Sequence, residues 1–249
     1  MNKQYQALAS VYDALMYDIG YDEWSDYIIR LLGDSGVESG ARLLEYACGT
    51  GNITLPLARR GYRVTAVDIS EEMLLRAQEK TRKGALQIKY ACSDMSIFEL
   101  NKPMRAAVCA CDGVNYILDN DSLGSFFKKA YHNLEQGGVL LFDISSAYKL
   151  QYVLGNEFYF DDGDRETYFW QNAYDEKEGL LTMDITLFVE EEGVYKRFDE
   201  RHVQRAWRIE ELTSGLQDAG FTDVRAYAFL SMDPPTKESD RIQFAATRR

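Results

Sequence analysis

Short apolar runs alternate with amphipathic stretches through the middle of the chain. From Leu123 to Leu134, apolar side chains recur with the i, i+3, i+4 spacing of a helix. Strands that alternate with helices and read as nearly continuous apolar runs are typical of a parallel sheet covered on both faces. The predicted strands are 43–47, 63–67, 87–92, 106–111 and 139–142.

The pattern changes within residues 155–206, which contain no helical stripe. Four extended stretches rich in aromatic and β-branched residues are separated there by Asp-Gly and Glu-Gly turn signals. These features predict an antiparallel sheet inserted into the α/β body. The body then resumes with a helix that ends at Gly220 and two further strands, 223–230 and 242–247.

The N-terminal region is helical in pattern and unusually aromatic, which predicts a helical cap over residues 1–36. The chain therefore divides into an α/β core, residues 1–154 and 207–249, and an inserted β subdomain, residues 155–206. We expect the inserted subdomain to act as a lid over a substrate site.

A glycine-rich segment between the first strand and the first helix of the core is the main candidate for chemistry. This glycine turn is the segment Glu45-Tyr46-Ala47-Cys48-Gly49-Thr50-Gly51-Asn52. Its glycines allow a tight turn and let a ligand approach main-chain N–H groups closely. Asp68 ends the second strand, where a carboxylate can accept both ribose hydroxyls of an adenosine. Asp94 follows the third strand, at the sheet edge where α/β proteins bind ligands.

Two classes of adenosine cofactor compete for this turn. A dinucleotide fold favours a third glycine at position 54, which is Thr54 here, and has no use for Glu45. A sulfonium nucleoside has no pyrophosphate, and it carries an ammonium group that an acid such as Glu45 can hold. The sequence therefore favours the sulfonium nucleoside. An NAD-dependent oxidoreductase and a non-catalytic cofactor-binding module remain as alternatives.

Three motifs carry a resemblance to a known family. The segments Glu45-x-Ala47-Cys48-Gly49-Thr50-Gly51, Val67-Asp68-Ile69-Ser70-x-x-Met73 and Cys92-Ser93-Asp94-Met95 resemble motifs I, II and III of class I S-adenosylmethionine-dependent methyltransferases. Tyr12-Asp13-x-Leu15-Met16 and the stretch from Phe142 to Lys149 resemble a small bacterial subgroup with a β insertion. The resemblance implies a Rossmann-like, seven-stranded, mostly parallel sheet with a C-terminal antiparallel hairpin. It also implies S-adenosyl-L-methionine as the cofactor.

The same resemblance implies roles for individual residues. Glu45 would lie near the methionyl amino group, Asp68 would bind the ribose diol and Asp94 would accept the adenine amine. Gly49 and Gly51 would line the cofactor with backbone. The further cofactor contacts that we predict are Tyr12, Ala47, Cys48, Thr50, Ile69, Met73, Met95 and Cys111.

Methyl transfer from a sulfonium is an in-line displacement, so the protein must chiefly align donor and acceptor. In the family, the loop after the fourth strand lies beside the methyl group. We therefore predict that Asp112, Asn115 and Tyr116 bind the acceptor, with Asp112 and Tyr116 as catalytic candidates. The alternative is that Asn115 and Tyr116 only shape the loop.

The inserted strands contain one candidate base. Because side chains alternate along a strand, Glu200, His202 and Gln204 share one face. A Glu–His pair facing a cleft could accept a proton from a hydroxyl or amine of the acceptor, so His202 is a catalytic and substrate-binding candidate. The alternative is a solvated sheet face with charge pairs.

Composition narrows the choice of acceptor. The 249 residues include 28 Lys and Arg against 40 Asp and Glu, a net charge of −12, which opposes binding to a polyanion. The sequence therefore favours a small-molecule acceptor with a nitrogen or oxygen nucleophile, and disfavours nucleic acid. The same chemistry on RNA or protein remains an alternative.

Cysteine usage and hydropathy indicate the compartment. The four cysteines lie in apolar segments without paired spacing, which suits buried thiols in a reducing cytoplasm. Cys109-x-Cys111 has no nearby Cys or His to complete a metal site, so we predict no metal. No apolar run reaches the roughly 20 residues that span a bilayer, and no secretory signal is visible. We expect a cytoplasmic monomer or homodimer.

Overall fold

The structure is a computed structural model that describes residues 8–163, 166–191 and 193–249. Six helices and eleven strands are named here in chain order. The helices are α1 (Leu8–Leu15), α2 (Tyr21–Asp34), α3 (Thr54–Arg59), α4 (Glu71–Lys83), α5 (Asn120–Asn133) and α6 (Ile209–Asp218). The strands are β1 (Arg42–Tyr46), β2 (Arg63–Asp68), β3 (Lys89–Cys92), β4 (Met104–Cys109), β5 (Leu134–Ser145), β6 (Phe158–Asp162), β7 (Glu166–Asp175), β8 (Leu180–Glu191), β9 (Val194–Arg205), β10 (Phe221–Ala228) and β11 (Arg241–Arg248).

Seven of the strands form one sheet in the order β10-β11-β5-β4-β1-β2-β3. Strands β1 to β5 pair in parallel, whereas β11 pairs antiparallel with both β5 and β10. The predicted Rossmann-like α/β fold with a C-terminal hairpin is confirmed. Because β1 lies between β2 and β4, the chain reverses direction across the sheet at β1, and ligands of such sheets bind at the carboxyl ends of the strands flanking that point.

Both faces of this sheet are covered by apolar side chains. Adjacent residues of β1 point to opposite faces, so Leu43 joins one core and Leu44 the other. The Leu43 side packs against α2 and α3 through residues such as Ile28 and Leu57. The Leu44 side packs against α5 and α6, with Phe126 at its centre. This double coverage explains why the strands read as continuous apolar runs.

The other four strands form an antiparallel sheet in the order β6-β7-β8-β9, here called the inserted sheet. Its buried face has two clusters. Leu187 and Val189 pack against Val11 of α1, and Leu181 packs against Leu150. The predicted antiparallel sheet is confirmed, and its buried face packs against α1.

Three local predictions differ from the structure. The helical pattern of the N-terminal region is interrupted by a turn between α1 and α2, and residues 1–7 of the predicted cap lie outside the described residues. The third strand begins at Lys89, because residues 84–88 form a turn and connection after α4. Strand β5 begins at Leu134, before Gly137 and Gly138, with an irregular register opposite β4 there. In the part of the chain that the structure describes, no helix has the length and hydropathy of a membrane span.

Candidate active site

A cavity of about 380 Å³ opens at the carboxyl ends of β1 to β4. Its size falls within the range of roughly 300–1,000 Å³ that is typical of small-molecule sites. Most of the predicted cofactor contacts lie in its wall. Those that do are Tyr12, Glu45, Ala47, Cys48, Gly49, Thr50, Asp68, Ile69, Met73, Asp94, Met95 and Cys111.

The backbone of the glycine turn is strained directly after the end of β1. Ala47 has φ of +50°, a region that residues with a Cβ seldom adopt and that often marks functional sites. Gly49 follows with φ of +53°. Gly51 is the one predicted cofactor contact that does not line the cavity. A Cβ there would lie 2.8 Å from Leu55 Cδ1 and 3.3 Å from Ala77 Cβ, so this glycine lets α3 and α4 pack closely.

Asp68 is oriented by backbone donors at the end of β2. Its Oδ2 accepts a hydrogen bond from Gly49 N at 2.8 Å, and its Oδ1 accepts one from Ser70 N at 2.9 Å. Burial raises the pKa of Asp68, while these backbone bonds lower it in part. Each oxygen retains a lone pair, so the carboxylate can accept two further hydrogen bonds from a diol.

Glu45 is the most deeply buried acid of the cavity, with 2% of its surface exposed. Burial raises its pKa from 4.5 to about 8, with a smaller contribution from Asp68, while the nearby Thr54 hydroxyl lowers it in part. No described residue donates a hydrogen bond to Glu45 Oε2. A cationic donor is therefore the natural ligand for this carboxylate. Thr54 occupies the position where a dinucleotide fold favours glycine.

Asp94 follows β3 and is held in a tight turn. Its Oδ1 accepts hydrogen bonds from Ser96 N at 2.8 Å and from Ser96 Oγ at 2.7 Å. Asp94 and Met95 line the cavity near Ile69 and the buried Met73. The carboxylate thus stands at the sheet edge with a fixed orientation, as a purine amine would require.

Two tyrosines from the helical cap form one end of the cavity, together with Cys111 and Tyr116; we call this the tyrosine end. Tyr21 bonds to Tyr12 and to Asn52, and burial raises the pKa of Tyr21 to about 12. Burial also raises the pKa of Tyr12 well above 10. Both phenols are therefore neutral hydrogen-bonding groups at physiological pH.

The prediction that Asp112 contacts the acceptor needs correction. Asp112 does not line the cavity; Arg241 Nη2 donates to its Oδ1 at 2.7 Å and Gln204 Nε2 donates to its Oδ2 at 2.6 Å. Arg241 also bonds to Asp143 and stacks over Trp24 at 4.7 Å. Although burial raises the pKa of Asp112, Arg241 holds it below its ordinary value. Asp112 therefore stabilises the turn after β4, where it has φ of +51°.

Asn115 also turns out to be structural, as the alternative interpretation allowed. Its side chain is fully buried and outside the cavity wall. The amide donates to Ser145 O at 3.0 Å and to Arg205 O at 2.9 Å, and it accepts from Ser145 N at 3.0 Å. These bonds join the loop after β4 to β5 and to the end of β9. Tyr116, by contrast, lines the cavity.

His202 lies behind Tyr116 rather than in the cavity wall. The two rings meet edge to face with centroids 6.1 Å apart, and His202 Nε2 lies 3.0 Å from Glu200 Oε2. His202 is 1% exposed, and Glu200 and Gln204 are also buried, so the interpretation of a solvated sheet face is wrong. Any effect of His202 on a ligand in this cavity passes through Tyr116.

The sequence reasoning missed part of the cavity wall. Three of the missed residues were identifiable: Tyr21 is one of the cap aromatics, Asn52 is in the glycine turn and Ser93 is in the third motif. The other missed residues belong to no recognisable motif. They line the cavity only because the fold brings their segments of the chain next to it. The missed residues are Tyr21, Asn52, Ile53, Ser93, Ser96, Ala110, Gly113, Ile117, Leu118, Asp119 and Ser122.

Comparisons with known proteins decide the family. The family described as "Methyltransferase domain" matches residues 43–138. A Bacillus subtilis (strain 168) protein named "Putative methyltransferase YqeM" is 35% identical over 98% of this chain and 97% of its own length. The chain belongs to the S-adenosylmethionine-dependent methyltransferases.

Solved structures of this methyltransferase fold agree. An S-adenosylmethionine-dependent methyltransferase from Clostridium acetobutylicum ATCC 824 has 36% identity and a TM-score of 0.88, with 98% of each chain covered. The S-adenosylmethionine-bound CalS10 from Micromonospora echinaspora, described as an amino pentose methyltransferase of calicheamicin biosynthesis, has a TM-score of 0.75. That match covers 100% of this chain and 99% of CalS10, and at 18% identity it shows the fold alone.

The methyltransferase uses S-adenosylmethionine as its cofactor, and the cavity fits this molecule. An ammonium group matches the buried Glu45 oxygen that lacks a described donor, and a ribose diol matches the two oriented oxygens of Asp68. Ala47 and Gly49, which both have positive φ, also line the cavity. The earlier alternative of an NAD-dependent oxidoreductase is set aside by the family.

Proposed function

We propose that this methyltransferase transfers a methyl group by in-line displacement to a nitrogen or oxygen atom of a small molecule. The observation that carries the proposal is that aromatic side chains from the helical cap and from the loop after β4 form the wall of the tyrosine end of the cavity. Tyr12 of α1 and Tyr116 line this end, and Tyr116 is backed by His202 of β9. A cavity with such a wall favours an acceptor small enough to enter it over an RNA or protein acceptor bound at a surface.

Three carboxylates are proposed to hold the cofactor. Glu45 would bind the methionyl ammonium, Asp68 the ribose diol and Asp94 the adenine amine. The neutral phenols of Tyr12 and Tyr21 would face the reacting groups without competing for the methyl group as phenolates. Together these contacts would point the methyl group of the sulfonium toward the tyrosine end. Alignment of donor and acceptor and exclusion of water there would supply most of the rate enhancement.

Two further features support a small, uncharged or cationic acceptor. The net charge of −12 repels polyanions, and the described residues that line the cavity include no Lys, Arg or His. CalS10, which shares the fold, acts on an amino pentose according to its description. An amine or hydroxyl on a small metabolite therefore fits best.

The proposed activity can be tested by calorimetry and a screen. S-adenosylhomocysteine should bind the purified protein with micromolar or tighter affinity, whereas NAD should not bind. Incubation with labelled S-adenosylmethionine and a metabolite library should then label a small molecule. Labelling of bulk RNA or protein, with no small molecule labelled, would replace the proposed acceptor class.

If the methyl acceptor must lose a proton, His202 is the candidate base that would take it up through Tyr116, because His202 itself does not line the cavity. A His202→Gln variant should lower kcat on the acceptor found in the screen by about 100-fold, because general base catalysis typically contributes at least that factor. Affinity for S-adenosylhomocysteine should stay within about twofold. Arg201→Gln is the matched control, because Arg201 is exposed on the opposite face of β9 and pairs with Asp184. Unchanged turnover in His202→Gln would leave His202 with a packing role.

A further inference from the structure

Asp13 lies on α1 and binds the glycine turn, although it is not part of the cavity wall. Its Oδ1 accepts hydrogen bonds from Thr50 Oγ1 at 2.7 Å and from Asn52 Nδ2 at 3.0 Å. Its Oδ2 accepts one from Lys80 Nζ at 2.7 Å. Lys80, on α4, also donates to Asn52 Oδ1 at 2.6 Å and to Thr50 Oγ1 at 3.0 Å. One carboxylate thus joins three elements that meet at the cofactor loop.

The neighbours of Asp13 on α1 contact two other parts of the protein. Val11 packs against Leu187 and Val189 of the inserted sheet, and Tyr12 lines the cavity. Successive helical residues point about 100° apart, so these three side chains face three directions. The helix therefore lies between the inserted sheet, the cavity and the glycine turn.

A helix of eight residues is not stable in isolation, so α1 depends on these contacts for its position. The contacts of Val11 are apolar and non-directional. Burial of the Asp13 carboxylate raises its pKa, but the hydrogen bonds from Lys80 and Thr50 outweigh this effect and lower the pKa below its ordinary value. The carboxylate is therefore ionised, and its hydrogen bonds are directional and charge-assisted. Asp13 thus sets the distance between α1 and the glycine turn.

We propose that Asp13 is a positioning residue of the cofactor site. Its bonds to Thr50, Asn52 and Lys80 hold α1 against the glycine turn, and this fixes Tyr12 as the wall of the tyrosine end. The cofactor would be retained behind this wall. The inference rests on the proposed function, since it assumes that the cofactor occupies the cavity with its reacting end near Tyr12.

The test uses S-adenosylhomocysteine as the probe, because it needs no acceptor. In Asp13→Asn and in Lys80→Met, its dissociation rate measured by stopped flow should rise at least tenfold. Hydrogen exchange of the α1 amides should slow on ligand binding in the wild type and should slow much less in both variants. Asp26→Asn is the matched control, because Asp26 on α2 forms an exposed ion pair with Arg60 and does not line the cavity. It should behave like the wild type.

The outcomes separate a positioning role from a general effect on stability. A merely structural Asp13 would lower the melting temperature of the ligand-free protein and leave the dissociation rate unchanged, which would overturn the inference. If Asp13→Asn does not fold, Lys80→Met alone decides between the two results. If the wild type itself fails to bind S-adenosylhomocysteine, the proposed function fails. If the wild type binds and both variants keep its dissociation rate, only the role of Asp13 fails.

Discussion

An Asp68→Ala variant should bind S-adenosylhomocysteine at least 100-fold more weakly than the wild type. The carboxylate is positioned to accept two hydrogen bonds from the ribose diol, and bonds to a charged partner contribute roughly 1.5–3 kcal/mol each. Their joint loss, about 3–6 kcal/mol, corresponds to a change in Kd of about 100-fold or more. The variant also releases Gly49 N and Ser70 N, which Asp68 holds in the wild type, so the glycine turn should loosen.

Calorimetric titration and thermal melting of the same samples test this result. The melting temperature should rise on addition of saturating S-adenosylhomocysteine in the wild type and should rise little in Asp68→Ala. Asp184→Ala is a suitable control, because this exposed carboxylate on β8 pairs with Arg201 and does not line the cavity. An unchanged Kd for Asp68→Ala would refute the ribose contact.

A Glu45→Gln variant should show opposite effects on stability and on ligand binding. The pKa of Glu45 is raised from 4.5 to about 8 in the folded protein, so between these values the folded state holds a proton that the unfolded state has lost. The free energy of unfolding of the ligand-free wild type therefore falls as pH rises through this window, by about 1.4 kcal/mol per pH unit for this group. Glutamine does not titrate, so the variant should melt several degrees higher than the wild type at pH 8 and lose most of this advantage at pH 5.

Ligand binding should respond in the other direction. The ammonium of S-adenosylhomocysteine pairs with the ionised form of Glu45, so Glu45→Gln should weaken binding by about 10-fold or more, from a charged hydrogen bond of roughly 1.5–3 kcal/mol. The loss should be larger at pH 9 than at pH 7, because the wild-type carboxyl must first release its proton at the lower pH. Near pH 7, calorimetry in buffers of different ionisation enthalpy should detect this proton in the wild type only.

Glu99→Gln is the matched control for both effects. Glu99 forms an exposed ion pair with Lys129, away from the cavity wall. Its substitution should change neither the pH dependence of melting nor the affinity. A Glu45→Gln variant that binds like the wild type at both pH values would exclude the ammonium contact. An equal stability difference at pH 5 and pH 8 would exclude the buried, protonated state of Glu45.

The sequence allowed the sheet and the cofactor side of the cavity to be predicted, because both depend on local patterns. Leu43 and Leu44 lie on opposite faces of a buried strand, and this double burial leaves a continuous apolar run that is visible in one dimension. Glu45, Asp68 and Asp94 stand at or just after strand ends, and parallel strands bring such ends to one edge. The fold and the positions of the three carboxylates could therefore be predicted from short segments of sequence.

The acceptor side could not be predicted in the same way, because its geometry depends on distant partners. Asp112 was interpreted as a substrate contact, but its carboxylate is bound by Arg241, which is 129 residues away in the chain. Asn115 reaches Arg205 across 90 residues. Strand alternation was enough to predict that Glu200 and His202 share one face. The burial of this face behind Tyr116 could not be predicted, because it depends on how the inserted sheet packs. No local motif encodes such pairings.

The position of β11 has a consequence for how the protein is made. This strand lies between β5 and β10, yet it is synthesised after every other strand of the sheet. Its first residue, Arg241, is the cation that compensates Asp112 and Asp143, and an uncompensated buried carboxylate is costly. On the ribosome, both acids must therefore stay hydrated until β11 has emerged. The turn after β4, which leads to Tyr116, is thus completed late in biogenesis, after the nucleoside-binding strands can already have paired.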